Sequence, residues 1–199
     1  MTLDEIRREI EKDYPIFSRK LGYVAHDIGK KLSNDVKKKG YLQFFDYISK
    51  YKNHWIYKLQ ISGKKSVSYG MLLYHNGRGH AGIFVTPDLN ITYHTGHFFE
   101  RYNERRGLGL RTLKEIICMF LVENDVFGFQ ELEEIDKGIF KVFGIIPSGI
   151  VLGLFNKPLK LVKANTFVAN ETLTHNQKEL TEKLKETLEK YKHTSGEFT

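Results

Sequence analysis

A single cysteine, Cys118, among 199 residues excludes an intramolecular disulfide and any zinc cluster built from several thiolates. It lies in the run Ile-Ile-Cys-Met-Phe-Leu, where a buried, inert thiol is expected rather than a nucleophile. No apolar stretch is long enough to span a bilayer, so no membrane partner is expected. The first six residues, Met-Thr-Leu-Asp-Glu-Ile, are charged from Asp4 onward and hold no apolar run. A cleavable signal peptide is therefore not expected, and the reading is a cytoplasmic protein. Internal repeats and low-complexity segments are absent too.

Positive charge and aromatic rings are what the chain does have. Lys and Arg number 31 against 24 for Asp and Glu, a balance of +7 with a pI near 9.3. A polyanion such as RNA or another nucleic acid is the natural partner for that excess, although the same balance also serves solubility alone. The 14 Phe and 11 Tyr can stack on bases. Most are expected in the core.

Periodicity divides the chain into an N-terminal helical segment (1–53), an α+β core (54–175) and a C-terminal helix with a frayed tail (176–199). Leu3, Ile6 and Ile10 mark a first helix closed by Pro15; a second is expected from Ile16 to Lys39 and a third from Tyr41 to Tyr51. Lys30, Lys31 and Lys37 to Lys39 make this segment basic. Lys37 and Lys38 are candidate phosphate contacts, against the plainer reading of a solvated charge run.

From Trp55 the pattern alternates and predicts strands at 55–62, 66–75, 80–87 and 91–94. The turn Asn76-Gly77-Arg78-Gly79 predicts a hairpin whose tip gathers His75, Arg78 and His80, with Arg78 a candidate nucleic-acid contact. Leu113 to Asn124 reads as a buried helix, Asp125 to Lys137 as an acidic loop, and 138–146, 149–155 and 159–169 as three more strands. Thr172 to Lys192 is a last amphipathic helix. The predicted architecture is α+β: the helical segment, then an antiparallel sheet with helices packed on it.

Chemistry concentrates between Thr95 and Arg106. Thr95 is a good N-cap, and Gly107 and Gly109 supply the stop. At about 100° per residue, His97, Arg101 and Arg105 fall on one face beside Glu100 and Glu104, with Phe98, Phe99 and Tyr102 opposite. A neutral imidazole serves as a general base, and guanidiniums hold a phosphate and stabilise charge on a phosphorane. This set suffices for RNA cleavage without metal or cofactor, in which the ribose 2′-OH attacks its own phosphate. The same residues also suit a solvated face with short-range charge pairs, or a non-catalytic grip on a phosphate backbone in which Arg106 joins Arg101 and Arg105. A third alternative is a divalent cation held by His94, His97 and Glu100, and a fourth is a structural or protein-interaction domain without chemistry at these residues.

The run His97-Phe98-Phe99-Glu100-Arg101-Tyr102-Asn103-Glu104-Arg105-Arg106-Gly107 resembles a pattern in small bacterial domains of the barnase, colicin and RelE-like ribonuclease group, His-Ala-x-x-Arg-x-x-x-Arg-Gly on a helix before a β-sheet. Phe98 stands in place of the alanine, and Arg106 is inserted before Gly107. The resemblance implies a helix packed on an antiparallel sheet, metal-independent RNA cleavage by His97, Arg101 and Arg105, and a toxin role whose matching partner is an inhibitor protein. A late-strand Thr or Ser often completes the site in that group, and Thr166 is the corresponding candidate.

Overall fold

The computed structural model describes residues 2–63, 65–75, 80–124 and 128–195. Its centre is a nine-stranded sheet in the order β1-β2-β3-β4-β5-β9-β8-β7-β6. The strands are β1 (Tyr41–Ile48), β2 (His54–Ser62), β3 (Lys65–His75), β4 (His80–Val85), β5 (Ile91–His94), β6 (Gly128–Asp136), β7 (Ile139–Ile146), β8 (Gly149–Asn156) and β9 (Leu161–Ala169). Neighbours in sequence pair antiparallel within β1 to β5 and within β6 to β9. The two meanders join through one parallel pair, Ile91 to His94 of β5 against Leu161 to Ala164 of β9. The sheet is therefore mixed rather than antiparallel throughout.

Helices cover both faces. On one, Ile6, Ile10, Phe17 and Leu21 of α1 (Leu3–Lys31) pack on Trp55, Tyr57, Leu72 and Ile83. Residues on either side of position 53 thus share one core. Farther along that face, Leu184 of α5 (His175–Ser195) meets Phe143, Ile145 and Ile150. On the other face, α3 (Gly96–Arg105) and α4 (Leu113–Glu123) bury Phe98, Phe99, Tyr102, Ile117 and Phe120 against Met71, Val151 and Phe167. Lys58 is buried below α4 and donates to the carbonyl of Leu121, 2.6 Å away. That places its charge in the last turn of the helix, at the negative end of its dipole.

Three local expectations are corrected. Pro15 does not close a helix: α1 runs through it to Lys31, because core contacts at Ile10 and Phe17 on either side outweigh the lost hydrogen bond. The short α2 (Asn34–Lys39) then starts at an N-cap, Ser33. Tyr41 to Tyr51 is not a helix but β1 and its following turn. Its aromatic and branched residues suit a pleated surface, and eight residues pair with β2 in unbroken register. The acidic stretch, where the sequence predicts a loop, contains β6, an edge strand whose Leu132 and Ile135 stay exposed. Its pairing with β7 shifts register twice, so no simple alternation marks it.

Candidate active site

Helix α3 starts where the parallel junction of the sheet ends. The Thr95 amide donates to the Ala164 carbonyl at 3.2 Å, continuing the β5 to β9 contact. The Thr95 hydroxyl accepts from the Phe98 amide at 3.1 Å and caps the helix. Gly107, at a left-handed φ of 61°, ends it. As the wheel predicts, Phe98, Phe99 and Tyr102 are buried, and His97, Glu100, Glu104 and Arg105 are exposed.

The polar side chains of this face are engaged close to home. His97 Nδ1 lies 3.6 Å from Glu100 Oε2, and Arg101 donates to Glu104 at 2.7 Å. Arg105 turns back to the sheet and donates to the Phe167 carbonyl. Arg106 is more firmly held: its Nε and Nη2 reach the two Glu123 carboxylate oxygens at 3.3 and 3.2 Å, and its Nη1 lies 3.4 Å from Glu171. The buried Tyr102 hydroxyl donates to the same Glu123 at 2.5 Å. Burial first, and then the Glu123 carboxylate, hold the Tyr102 phenol well above its ordinary range. Arg106 therefore ties α3 to α4 and to the 3-10 turn Asn170–Thr172.

This arrangement gives a stability prediction. Arg106→Ala leaves a half-buried Glu123 with only the phenol, and about 1–3 kcal/mol of stability should be lost. Arg101→Ala, which breaks an exposed pair, should cost less than about 1 kcal/mol. Urea unfolding of both variants checks the ranking; equal losses would mean that the Arg106 network is not structural.

Thr166 does not join the other site residues. The β8 to β9 register shifts so that Leu152 pairs with Thr166 and Gly153 with Ala164, leaving Asn165 as the extra residue. Phe167 beyond the bulge packs on Phe98 and Tyr102 under α3. Thr166 therefore points to the opposite face with its partner Leu152, whose side chain lies in the cluster under α5. Nor do Lys37 and Lys38 approach His97. They belong to α2, and the Lys37 carbonyl accepts from the Gly63 amide just past the far end of β2. The nine-residue β2 puts about 26 Å between that end and His54, on the end where α3 begins. Arg78 lies outside the described residues.

The potential metal triplet is also split. His94 is fully buried among Phe98, Phe99 and Phe120, with ring centroids 4.8, 5.7 and 5.2 Å away. Burial pushes its imidazole down to about 3, against the opposing effect of backbone hydrogen bonding with Gly82 and Thr92. Among the described residues no group of three His, Cys, Asp or Glu side chains is placed to hold a metal ion. Cys118 is half-buried, and burial raises its thiol above the ordinary value.

A pair of histidines lies at the sheet end where α3 starts. His75 and His80 face each other across the β3 to β4 pairing, with ring centroids 4.5 Å apart. The His80 backbone abuts the start of α3: a Cβ added to Gly96 would lie 2.6 Å from the His80 carbonyl oxygen. The hairpin pattern places the two histidines together in the sequence, but nothing in it shows that Gly96 docks against them.

A scan against protein-family models and searches of curated proteins and of solved structures return no match for this chain. Among the described residues no helix is long and apolar enough to cross a membrane.

Proposed function

We propose that the protein cleaves RNA without a metal ion, at the sheet end where the β3 to β4 hairpin meets α3. What supports this reading is the close approach of the first residue of α3, Gly96, to the His80 backbone, beside the exposed His75 and His80 ring pair, with the exposed His97 next in sequence and Arg101 one turn along the helix. One neutral imidazole takes the proton of the ribose 2′-OH as the 2′-oxygen attacks phosphorus. A second, protonated, gives its proton to the departing 5′-oxygen, so the products are a 2′,3′-cyclic phosphate and a free 5′-OH. Arg101 holds the non-bridging oxygens; its exposed pair with Glu104 is weak enough for a phosphate to displace. In this reading Arg105, Arg106 and Thr166 carry no chemistry. The likeness of the α3 motif to the ribonuclease group supports the same reaction class.

The test is cleavage of a defined RNA by purified protein in excess chelator, with His97→Ala, His80→Ala and Arg101→Ala beside it. Wild type should cut and leave cyclic-phosphate ends, and each histidine variant should lose about 10²- to 10⁴-fold in rate while staying folded. Arg106→Ala, assayed at a temperature where it is folded, should keep its activity. Loss of cleavage in chelator, or full activity in both histidine variants, removes the proposal.

A second reading, nucleic-acid binding without chemistry, is favoured by the opposite end of the sheet. Lys30 from the last turn of α1 and Lys37, Lys38 and Lys39 from the last turn of α2 form no ion pair among the described residues. Uncut RNA bound with a steep salt dependence, and a shallower slope in Lys37→Gln/Lys38→Gln protein, is the result expected from that reading.

A further inference from the structure

Helices α3 and α4 leave part of their sheet face uncovered. Below them a cavity of about 300 Å³ opens across β4, β5, β9, β8, β7 and β6. Its floor is apolar: Phe84, Val162, Phe155, Val142 and Phe129. Hydrogen-bonding side chains are confined to a few positions, Thr86, Asn90 and Thr92 among them. An apolar floor with a few convergent polar groups is the usual form of a small-molecule site.

The charges of the lining decide the ligand. Among the described residues two charged side chains border the cavity, Glu131 from β6 and Lys160 from the turn before β9. Glu131 has a cation beside it, Lys157, at 3.8 Å. Lys160 has no carboxylate partner among the described residues. Among the described residues the cavity therefore offers one uncompensated positive charge, Lys160, next to an apolar floor.

The turn that presents Lys160 is fixed. Asn156 accepts from the Leu159 amide at 3.1 Å, and the Lys160 amide donates to the Lys157 carbonyl at 3.1 Å. The Lys160 carbonyl accepts from the Ile91 amide at 3.1 Å. Lys160 itself adopts a left-handed φ of 44°, and Leu89 in the neighbouring turn has φ 58°. From the other side of the sheet, Arg7 of α1 donates to the Leu159 carbonyl and, at 3.5 Å, to the Leu89 carbonyl, clamping both turns. Left-handed non-glycine residues held by their surroundings recur at ligand clamps.

From these features we propose that the cavity binds a small amphipathic monoanion, a carboxylate with an apolar tail or ring, its head at Lys160 and its body over Phe155, Val162 and Phe129. At ~30 Å³ per water the space holds on the order of ten waters. An occupant with a similar number of non-hydrogen atoms fits, and octanoate is such a probe. The site is separate from the histidine end and does not depend on the reaction proposed there.

Calorimetric titration of the full chain with octanoate, 1-octanol and octylamine tests the assignment. Octanoate should bind, octanol about tenfold more weakly or worse, and octylamine not at all. Lys160→Met, a change at an exposed side chain, should weaken octanoate about tenfold and leave octanol unchanged. Phe155→Trp, which narrows the floor, should weaken octanoate and octanol together. Absence of octanoate binding by wild type at millimolar concentration overturns the proposal. So does octanoate affinity that Lys160→Met leaves intact, because the charge would then not be recognised.

Discussion

As pH falls below 6.5 the protein should lose stability faster than a variant without the His94 imidazole. In the folded state this ring is fully buried and ringed by Phe98, Phe99 and Phe120, and it takes up a proton only at about 3. In the unfolded chain it titrates near 6.5. Between those values the unfolded state holds a proton that the folded state does not, so stability rises with pH at up to about 1.4 kcal/mol per unit. The contribution is fully present above the unfolded value and is lost progressively as the pH falls from about 6.5 toward 3. Urea midpoints from pH 7.5 to 4 for wild type and His94→Gln check this. The glutamine variant should be weaker at neutral pH, and its deficit should shrink on acidification. A deficit that stays constant would show that the imidazole does not carry the acid response.

The other large effect is expected at Phe120. Its ring lies between 5.2 and 5.7 Å, centroid to centroid, from His94, Phe98, Phe99 and Tyr102, so it fastens α4 to α3 and to the end of β5. Phe120→Ala removes dispersion contacts with four rings at once and leaves a cavity that the sheet below cannot fill by shifting. A loss of about 3–5 kcal/mol follows, a large share of the roughly 5–15 kcal/mol that holds a domain together. Val122→Ala on the exposed side of the same helix should stay within about 0.5 kcal/mol. Equilibrium denaturation of the two variants separates them, and a Phe120→Ala loss below about 1 kcal/mol would contradict this account of the core.

The course of α3 was legible because local signals agreed there. Thr95 caps it, Gly107 ends it, and Phe98, Phe99 and Tyr102 fall on the side that the sheet needs. Strands β2, β3, β4, β5, β7, β8 and β9 were legible for a similar reason, since each alternates or is continuously apolar between turn residues. The edge strands were not. β1 is covered only in part and β6 is exposed almost throughout, so neither shows a clean period of two. The site was legible only as far as one helix. That Arg106 is claimed by Glu123 and Glu171 depends on residues 17 and 65 positions away. That Thr166 faces away from His97 depends on one extra residue, Asn165, in the β8 to β9 register. Sequence spacing carries neither fact.

The single parallel pair also bears on how the chain reaches this state. Every other strand pairing joins neighbours in sequence, so β1 to β5 and β6 to β9 are two units that can zip locally through hairpins. Their union waits for Ile91 to His94 to find Leu161 to Ala164, about seventy residues away in the chain. Closing that loop is the slow step on topological grounds. Changes at the seam, in Ala164 or Thr95, should therefore act mainly on the folding rate. Changes in the outer hairpins should act mainly on the rate of unfolding.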